Sequence, residues 1–372
     1  MVYFDNAATT PVPKAVADAM YEVLTAHFGN PSSQYPIGVE MKKAVEGWRA
    51  VIAGALGCPA ERLYFTSCGT ESDNWAIQAA LWQNRHRGRH IITTAVEHSA
   101  VLEPCKLLAQ QGYEVTYLKP GRDGNVTAEQ VADALREDTA LVSVMLVNNE
   151  TGCVFPAADI AALLREKGSP ALLHCDAVQG FLKVPFRAKA LGADMISVSA
   201  HKIHAAKGTG ALYIRPGLPL PAFINGGGQE SNYRSGTENM PGICGFGAAC
   251  AGTDAKADIA RMTQLRDLAR EKLAQIDGLV LIGSQAAPHI VNLSLPGLRS
   301  QGIINCLQSD GIYVSAGSAC SKGHRSHVLE AMRLSPAVID GSIRVSFSRD
   351  NTEADVDALC QALLHAKQTL KG

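Results

Sequence analysis

The pattern of apolar and polar positions divides the chain into three textures. An amphipathic helix is expected over residues 14–27, and Gly29-Asn30-Pro31-Ser32-Ser33 breaks it. Val39, Ala44, Val45, Trp48, Val51, Ile52 and Leu56 recur at helical spacing, and Gly57 ends that second helix. Short apolar runs bounded by polar and turn residues then predict strands at 63–66, 90–94, 114–118, 140–147, 171–175, 194–199 and 211–214. Helical patterns fill most of the gaps, and Thr127 with Gln130 has the form of a capping box. Strand and helix in alternation predict an α/β layer with a mostly parallel sheet, covered on both faces.

After Gly228 a Gly/Ser/Asn-rich loop runs to Asn239, and a long helical stretch extends to about Ile276. Strands are expected again at 280–282, 289–295 and 342–347. The division predicted is a large domain over 14–252 and a smaller α+β domain formed by 1–13 and 253–372.

Composition narrows the class. The 372 residues are 47% hydrophobic and 19% charged, with a formal net charge of -1, so the core is ample. Lys and Arg form no long runs, which argues against nucleic-acid or anionic-membrane partners. No secretory signal pattern opens the chain, and no apolar run approaches the ~20 residues of a membrane span. The ten cysteines include no C-x-x-C pair, so the reading is a reduced, cytoplasmic protein without a metal site.

Candidate chemistry gathers just past the strands, where open α/β sheets bind ligands. Gly69 and Thr70 follow the first of these strands, His98 the second, Asn149 the fourth, Asp176 and Gln179 the fifth, and His201 and Lys202 the sixth. Lys202 ends an apolar run before a loop of small residues. Alone it reads as a surface lysine in a turn, but a desolvated amine there suits a Schiff base with a carbonyl cofactor. Thr70-Glu71-Ser72-Asp73 looks like a capping box before a helix at 75–81, which with Gly69 offers an anion site; by itself it is an ordinary helix cap. Asp176 at a buried strand end needs a cationic partner, either a protein side chain or a protonated pyridine nitrogen. His98 reads either as a hydrogen-bonded core histidine or as a ring that stacks on a planar ligand.

Arg344 alternates with Ile343, Val345 and Phe347, so it shares its face with serines, as a carboxylate site or an exposed edge-strand arginine. Cys320, in Gly317-Ser318-Ala319-Cys320-Ser321-Lys322-Gly323, has the small polar neighbours of an exposed thiol.

Taken together, the motifs Y-F-D-N-A-A-T-T-P, G-N-P-S-S, T-S-C-G-T-E-S-D-N, E-H-S-A-V, V-N-N-E-T-G, D-A-V-Q, S-A-H-K, R-S-G-T-E-N, G-S-A-C and S-I-R occur in this order along nearly the whole chain. The chain thereby resembles the cysteine desulfurases of the NifS/IscS-like group, in the class V aminotransferase family of pyridoxal 5'-phosphate (PLP) enzymes of fold type I. The resemblance implies a homodimer that converts L-cysteine to L-alanine and hands the sulfur on as a persulfide. It implies that Lys202 holds PLP and moves the α-proton. Asp176 would pair with the ring nitrogen, Gln179 with the ring hydroxyl, and His98 would stack on the ring. Thr70, Ser199, His201 and the Gly69 backbone would hold the phosphate, joined by Thr237 of the neighbouring subunit. Asn149 and Arg344 would hold the substrate carboxylate, and Cys320 would accept the sulfur.

Ala206, where a proline is usual, Tyr35, where a histidine is frequent, a short loop after Cys320 and an early chain end depart from the family pattern. They leave the sulfur acceptor open, an iron–sulfur scaffold or a tRNA-thiolation enzyme. A selenocysteine lyase or another class V aminotransferase is the alternative enzyme, and a non-catalytic sulfur-carrier platform the alternative outside enzymes.

Overall fold

The computed structural model describes residues 1–316 and 325–371. A two-residue strand, β1 (Val2–Tyr3), opens the chain. The main sheet is built from β2 (Leu63–Thr66), β3 (His90–Thr94), β4 (Glu114–Leu118), β5 (Thr139–Met145), β6 (Leu172–Asp176), β7 (Met195–Ser199) and β8 (Gly210–Ile214). Their order is β2-β8-β7-β6-β5-β3-β4. Only β8 runs against its two neighbours, so the other six share one direction. β3, β5, β6 and β7 are buried along their whole length, as expected of parallel strands covered on both faces. β4, at the sheet edge, is the least buried.

Local chemistry sets the helix ends. The helix Pro36–Leu56 has proline in its first turn and closes on Gly57, whose φ of 78° is left-handed. Thr127 and Gln130 make both bonds of the expected capping box. The box expected at Thr70–Asp73 does not form: the helix there is Gly69–Gln83, its cap position is Cys68, and no side chain caps it. Glu71 instead accepts the Ser67 N–H and pairs with Arg234, and Ser72 bonds Thr66, so the first turn is held by tertiary partners. The helical stretch after Asn239 is two helices, Met240–Ala251 and Ala255–Leu273, the second capped by Asp254 on the Ala257 N–H.

A second apolar core forms around β9 (Val280–Ile282), β10 (Ile290–Ser294) and β12 (Ser342–Ser346), an antiparallel sheet in the order β12-β10-β9. Leu265, Leu273, Ile303, Leu307, Leu359 and Leu363 cover it from helices. The N-terminal residues join this core. β1 pairs with β11 (Ile312–Tyr313), and Phe4 packs edge-on against Phe347 at 5.2 Å. No helix among the described residues is long and apolar enough to cross a membrane.

Candidate active site

Because β2, β3, β5, β6 and β7 point the same way, their ends deliver side chains to one edge of the sheet. A cavity of about 270 Å3 lies there, closed on its far side by Ala7, Ala8 and Arg344. Lys202 ends a short turn after β7, and its Nζ donates to the carbonyls of Ala7 at 2.7 Å and Ala8 at 2.8 Å. Thr10 fixes that segment by donating its N–H and hydroxyl to the His201 carbonyl.

Gly69 opens its helix beside the cavity, and a Cβ there would stand 2.7 Å from Val178 Cγ2. Thr70, Ser199 and His201 line the same end. Ser199 Oγ is buried without a hydrogen-bond partner among the described residues. Burial, and then the cations Lys202, Lys207 and Lys183, push the His201 imidazole down to about 4, so the ring is neutral. Its Nδ1 lies 3.2 Å from Thr9 Oγ1.

Asp176 holds the centre of the floor at 6% exposure, its Oδ1 accepting the Val178 N–H at 2.9 Å. Burial, followed by the neighbouring Asp73 carboxyl, pushes its pKa up to about 7. Gln179 donates from Nε2 to Ala7 O at 2.8 Å, which leaves its buried Oε1 without a partner among the described residues. His98 caps the helix Ser99–Gln110, and its Nδ1 accepts the Ala100 N–H at 3.2 Å. Burial lowers its pKa, against the pull of Asp176.

Arg344 is 2% exposed, so it is no surface arginine. Nη1 donates to the Asn149 carbonyl at 2.7 Å and Nη2 pairs with Asp5 at 2.9 Å, while its Nε has no partner among the described residues. Asn148 shapes the preceding turn by accepting from Glu150 N and Thr151 N, and so places Asn149 at the wall.

Lys202, Asp176, His98, Gly69, Thr70, Asn149, Gln179, Ser199, His201 and Arg344 thus all line one cavity. Thr237 does not; it is exposed, outside the cavity of its own chain. Cys320 lies outside the described residues. The lining groups without an expected role include Asp73, Glu97, Glu150 and His327. Asp73 was absorbed into the capping box, while Glu97 and Glu150 stand beside His98 and Asn149 and share their strand-end positions. Nothing local marks His327, because it reaches the site from a distant stretch of the chain, on the short helix His327–Ala331.

The profile of the aminotransferase class-V family matches residues 2–359. A cysteine desulfurase IscS of Methanosarcina thermophila is 42% identical over 100% of this chain and 93% of its own length. A cysteine desulfurase of a Nostoc species is 42% identical over 100% of this chain and 94% of its own. Among solved structures, a NifS-like protein has a TM-score of 0.92 at 37% identity, covering 99% of this chain and 100% of its own. SspA in complex with cysteine has a TM-score of 0.84 at 33% identity, covering 95% of this chain and 100% of its own.

Proposed function

Because the chain belongs to the aminotransferase class-V family, we propose that the cavity is the active site of a PLP-dependent cysteine desulfurase and that its residues divide the work as follows. The protein is a cysteine desulfurase, and its cofactor is PLP. The residues present fit that group. Two buried oxygens without partners, Gln179 Oε1 and Ser199 Oγ, stand ready for a hydroxyl donor and a phosphate. The buried Asp176 carboxyl on the cavity floor suits a protonated ring nitrogen, and the N-terminus of the helix that opens at Gly69 beside the cavity suits an anion.

When bound, PLP supplies an electron-withdrawing ring that stabilises negative charge on the substrate's α-carbon. Lys202 would hold it, and the Lys202 amine would move the substrate's α-proton. Asp176 would keep the ring nitrogen protonated, Gln179 would accept from the ring hydroxyl, and His98 would stack on the ring. Thr70, Ser199, His201 and the Gly69 backbone bind the phosphate. Arg344 and Asn149 hold the L-cysteine carboxylate. The Cys320 thiolate takes the sulfur: the substrate C–S bond breaks as an S–S bond forms, leaving a persulfide on Cys320 and releasing L-alanine.

The observation that carries this reading is the meeting of Lys202, Asp176, His98 and Arg344 around one cavity. The test is incubation with L-cysteine, then mass spectrometry of the Cys320 peptide for one added sulfur. Cys320→Ala is expected to keep PLP and lose sulfur release; full release by that variant refutes the assignment.

The same reading includes a homodimer, in which Thr237 of one copy reaches the phosphate held by the other. Its exposure in a single chain supports this. The antiparallel sheet of β9, β10 and β12, with its own apolar cluster that takes in Phe4, supports a domain division into 14–252 and 1–13 with 253–372. The free thiols at the nine described cysteines support a reducing, cytoplasmic setting, where an iron–sulfur scaffold or a tRNA-thiolation enzyme takes the sulfur.

A further inference from the structure

The cavity holds two imidazoles, and their hydrogen bonds give them opposite character. His98 Nδ1 accepts a backbone N–H, so in the neutral ring the proton sits on Nε2. His98 therefore offers the cavity a donor. His327 is the reverse. Its Nε2 lies 3.1 Å from the carbonyl oxygen of Glu97. A carbonyl only accepts, so Nε2 carries a proton and, in the neutral ring, Nδ1 keeps a lone pair. That lone pair has no hydrogen-bond partner among the described residues.

The turn that presents His327 is tied down at three points. Arg325 pairs with Asp340 at 2.6 Å. Ser326 donates to Glu150 Oε2 at 2.5 Å, and the ring itself bonds the Glu97 carbonyl. His327 is exposed while lining the cavity, so it stands at the mouth, in contact with both water and the site.

The neighbouring groups do not serve as bases. Glu97 is buried, with Oε1 accepting from Thr94 and from the Met145 N–H, and burial pushes its pKa well up. Burial also raises the pKa of Glu150, whose Oε2 is held by Ser326. Arg344 is a cation, and the Lys202 amine is assigned to the cofactor. Glu330, on the short helix His327–Ala331, is exposed to solvent.

We propose that His327 is a further catalytic residue, whose Nδ1 takes the acidic proton that L-cysteine sheds on reaching the cavity. This rests on the desulfurase reading. The amino acid arrives as an ammonium ion bearing a thiol, and its amine must be neutral to displace Lys202. The N–H or S–H bond breaks, its electron pair stays on nitrogen or sulfur, and a new N–H bond forms at Nδ1. The imidazolium then returns the proton to water at the mouth.

The experiment uses the full-length holoenzyme with His327→Gln, whose amide N–H can still donate to the Glu97 carbonyl, and His327→Ala. Each is mixed with L-cysteine and, separately, with L-alanine, which has the ammonium group and no thiol. The visible absorbance of the bound cofactor reports substrate capture, and sulfide release reports turnover. Both variants are expected to retain cofactor and thermal midpoint, and to lose about a hundredfold in kcat/KM for L-cysteine. Added imidazole is expected to restore His327→Ala, where the ring has left a space, and not His327→Gln. An equal slowing with L-alanine assigns the proton to the ammonium; slowing with L-cysteine alone assigns it to the thiol. Wild-type rates in His327→Gln with both amino acids overturn the proposal, as does a slow His327→Ala that imidazole does not restore. Loss of cofactor or stability in both variants also overturns it, by making His327 a structural part. A wild-type protein that releases no sulfur refutes the desulfurase reading instead, and the L-alanine arm still decides His327.

Discussion

Lys183 offers the sharpest test of how this interior is balanced. It is 6% exposed, and its Nζ has no hydrogen-bond partner among the described residues. Burial, then the charges of Lys202 and Arg344, lower its pKa from 10.5 to about 7. Above about pH 7 the folded protein therefore holds a neutral amine, while the unfolded chain stays protonated up to about 10.5. As pH falls from 10.5 toward 7, protonation favours the unfolded chain more and more, and the deficit levels off below 7. At 1.36 kcal/mol per pH unit the ceiling on that deficit is roughly 5 kcal/mol. Lys183→Met keeps the aliphatic stem and removes the amine. At roughly 2.1 cal/mol/K per residue, the unfolding entropy is about 0.8 kcal/mol/K, so the ceiling corresponds to about 6 °C. Scanning calorimetry of both holoproteins is expected to show the variant several degrees more stable at neutral pH. Near pH 9.5 the gain should shrink to under half, because most of the protonation deficit is gone there. A variant no more stable than wild type at neutral pH, or a gain that ignores pH, would refute the reasoning.

Gly69→Ala is expected to weaken PLP binding about tenfold, since the new methyl meets Val178, whose N–H orients Asp176; titration of the apoprotein with PLP measures this. Arg344→Lys should raise the KM for L-cysteine at least about tenfold in steady-state kinetics, because one ammonium cannot hold Asn149, Asp5 and a carboxylate as a planar fork does. Glu230→Ala strips Arg49 of a partner at 2.7 Å in a buried pair and should cost roughly 3–5 kcal/mol, read as a lower thermal midpoint that added salt does not restore.

How far the chain could be read before its structure was known differs by element. β2, β3, β4 and β9 match their expected bounds because short apolar runs are bracketed by polar or turn residues. The helix break at Gly252 is clear in hindsight from Asp254, a good cap hidden inside a charged stretch. The helix at Gly69 starts earlier than expected, and its first turn is held through Glu71 and Ser72 by Arg234 and Thr66, remote or preceding in sequence, with no side-chain cap. At the site, the strand-end rule points to His98, Asn149, Asp176 and Lys202, since the sheet direction alone delivers them. It says nothing of His327 or of the Ala7 and Ala8 carbonyls, which arrive from distant parts of the chain.

The threading of residues 4–8 sets an order for biosynthesis. Phe4 and Asn6 are held by Ser346, about 340 positions downstream, and the carbonyls that seat the 202 amine belong to that same strand of chain. Residues 4–8 therefore leave the ribosome long before the partner that holds them. Long-range closures of this kind are slow and come late. A growing chain carries every strand of the large sheet before Ser346 is made, so the seat for its cofactor is finished only after that residue has emerged.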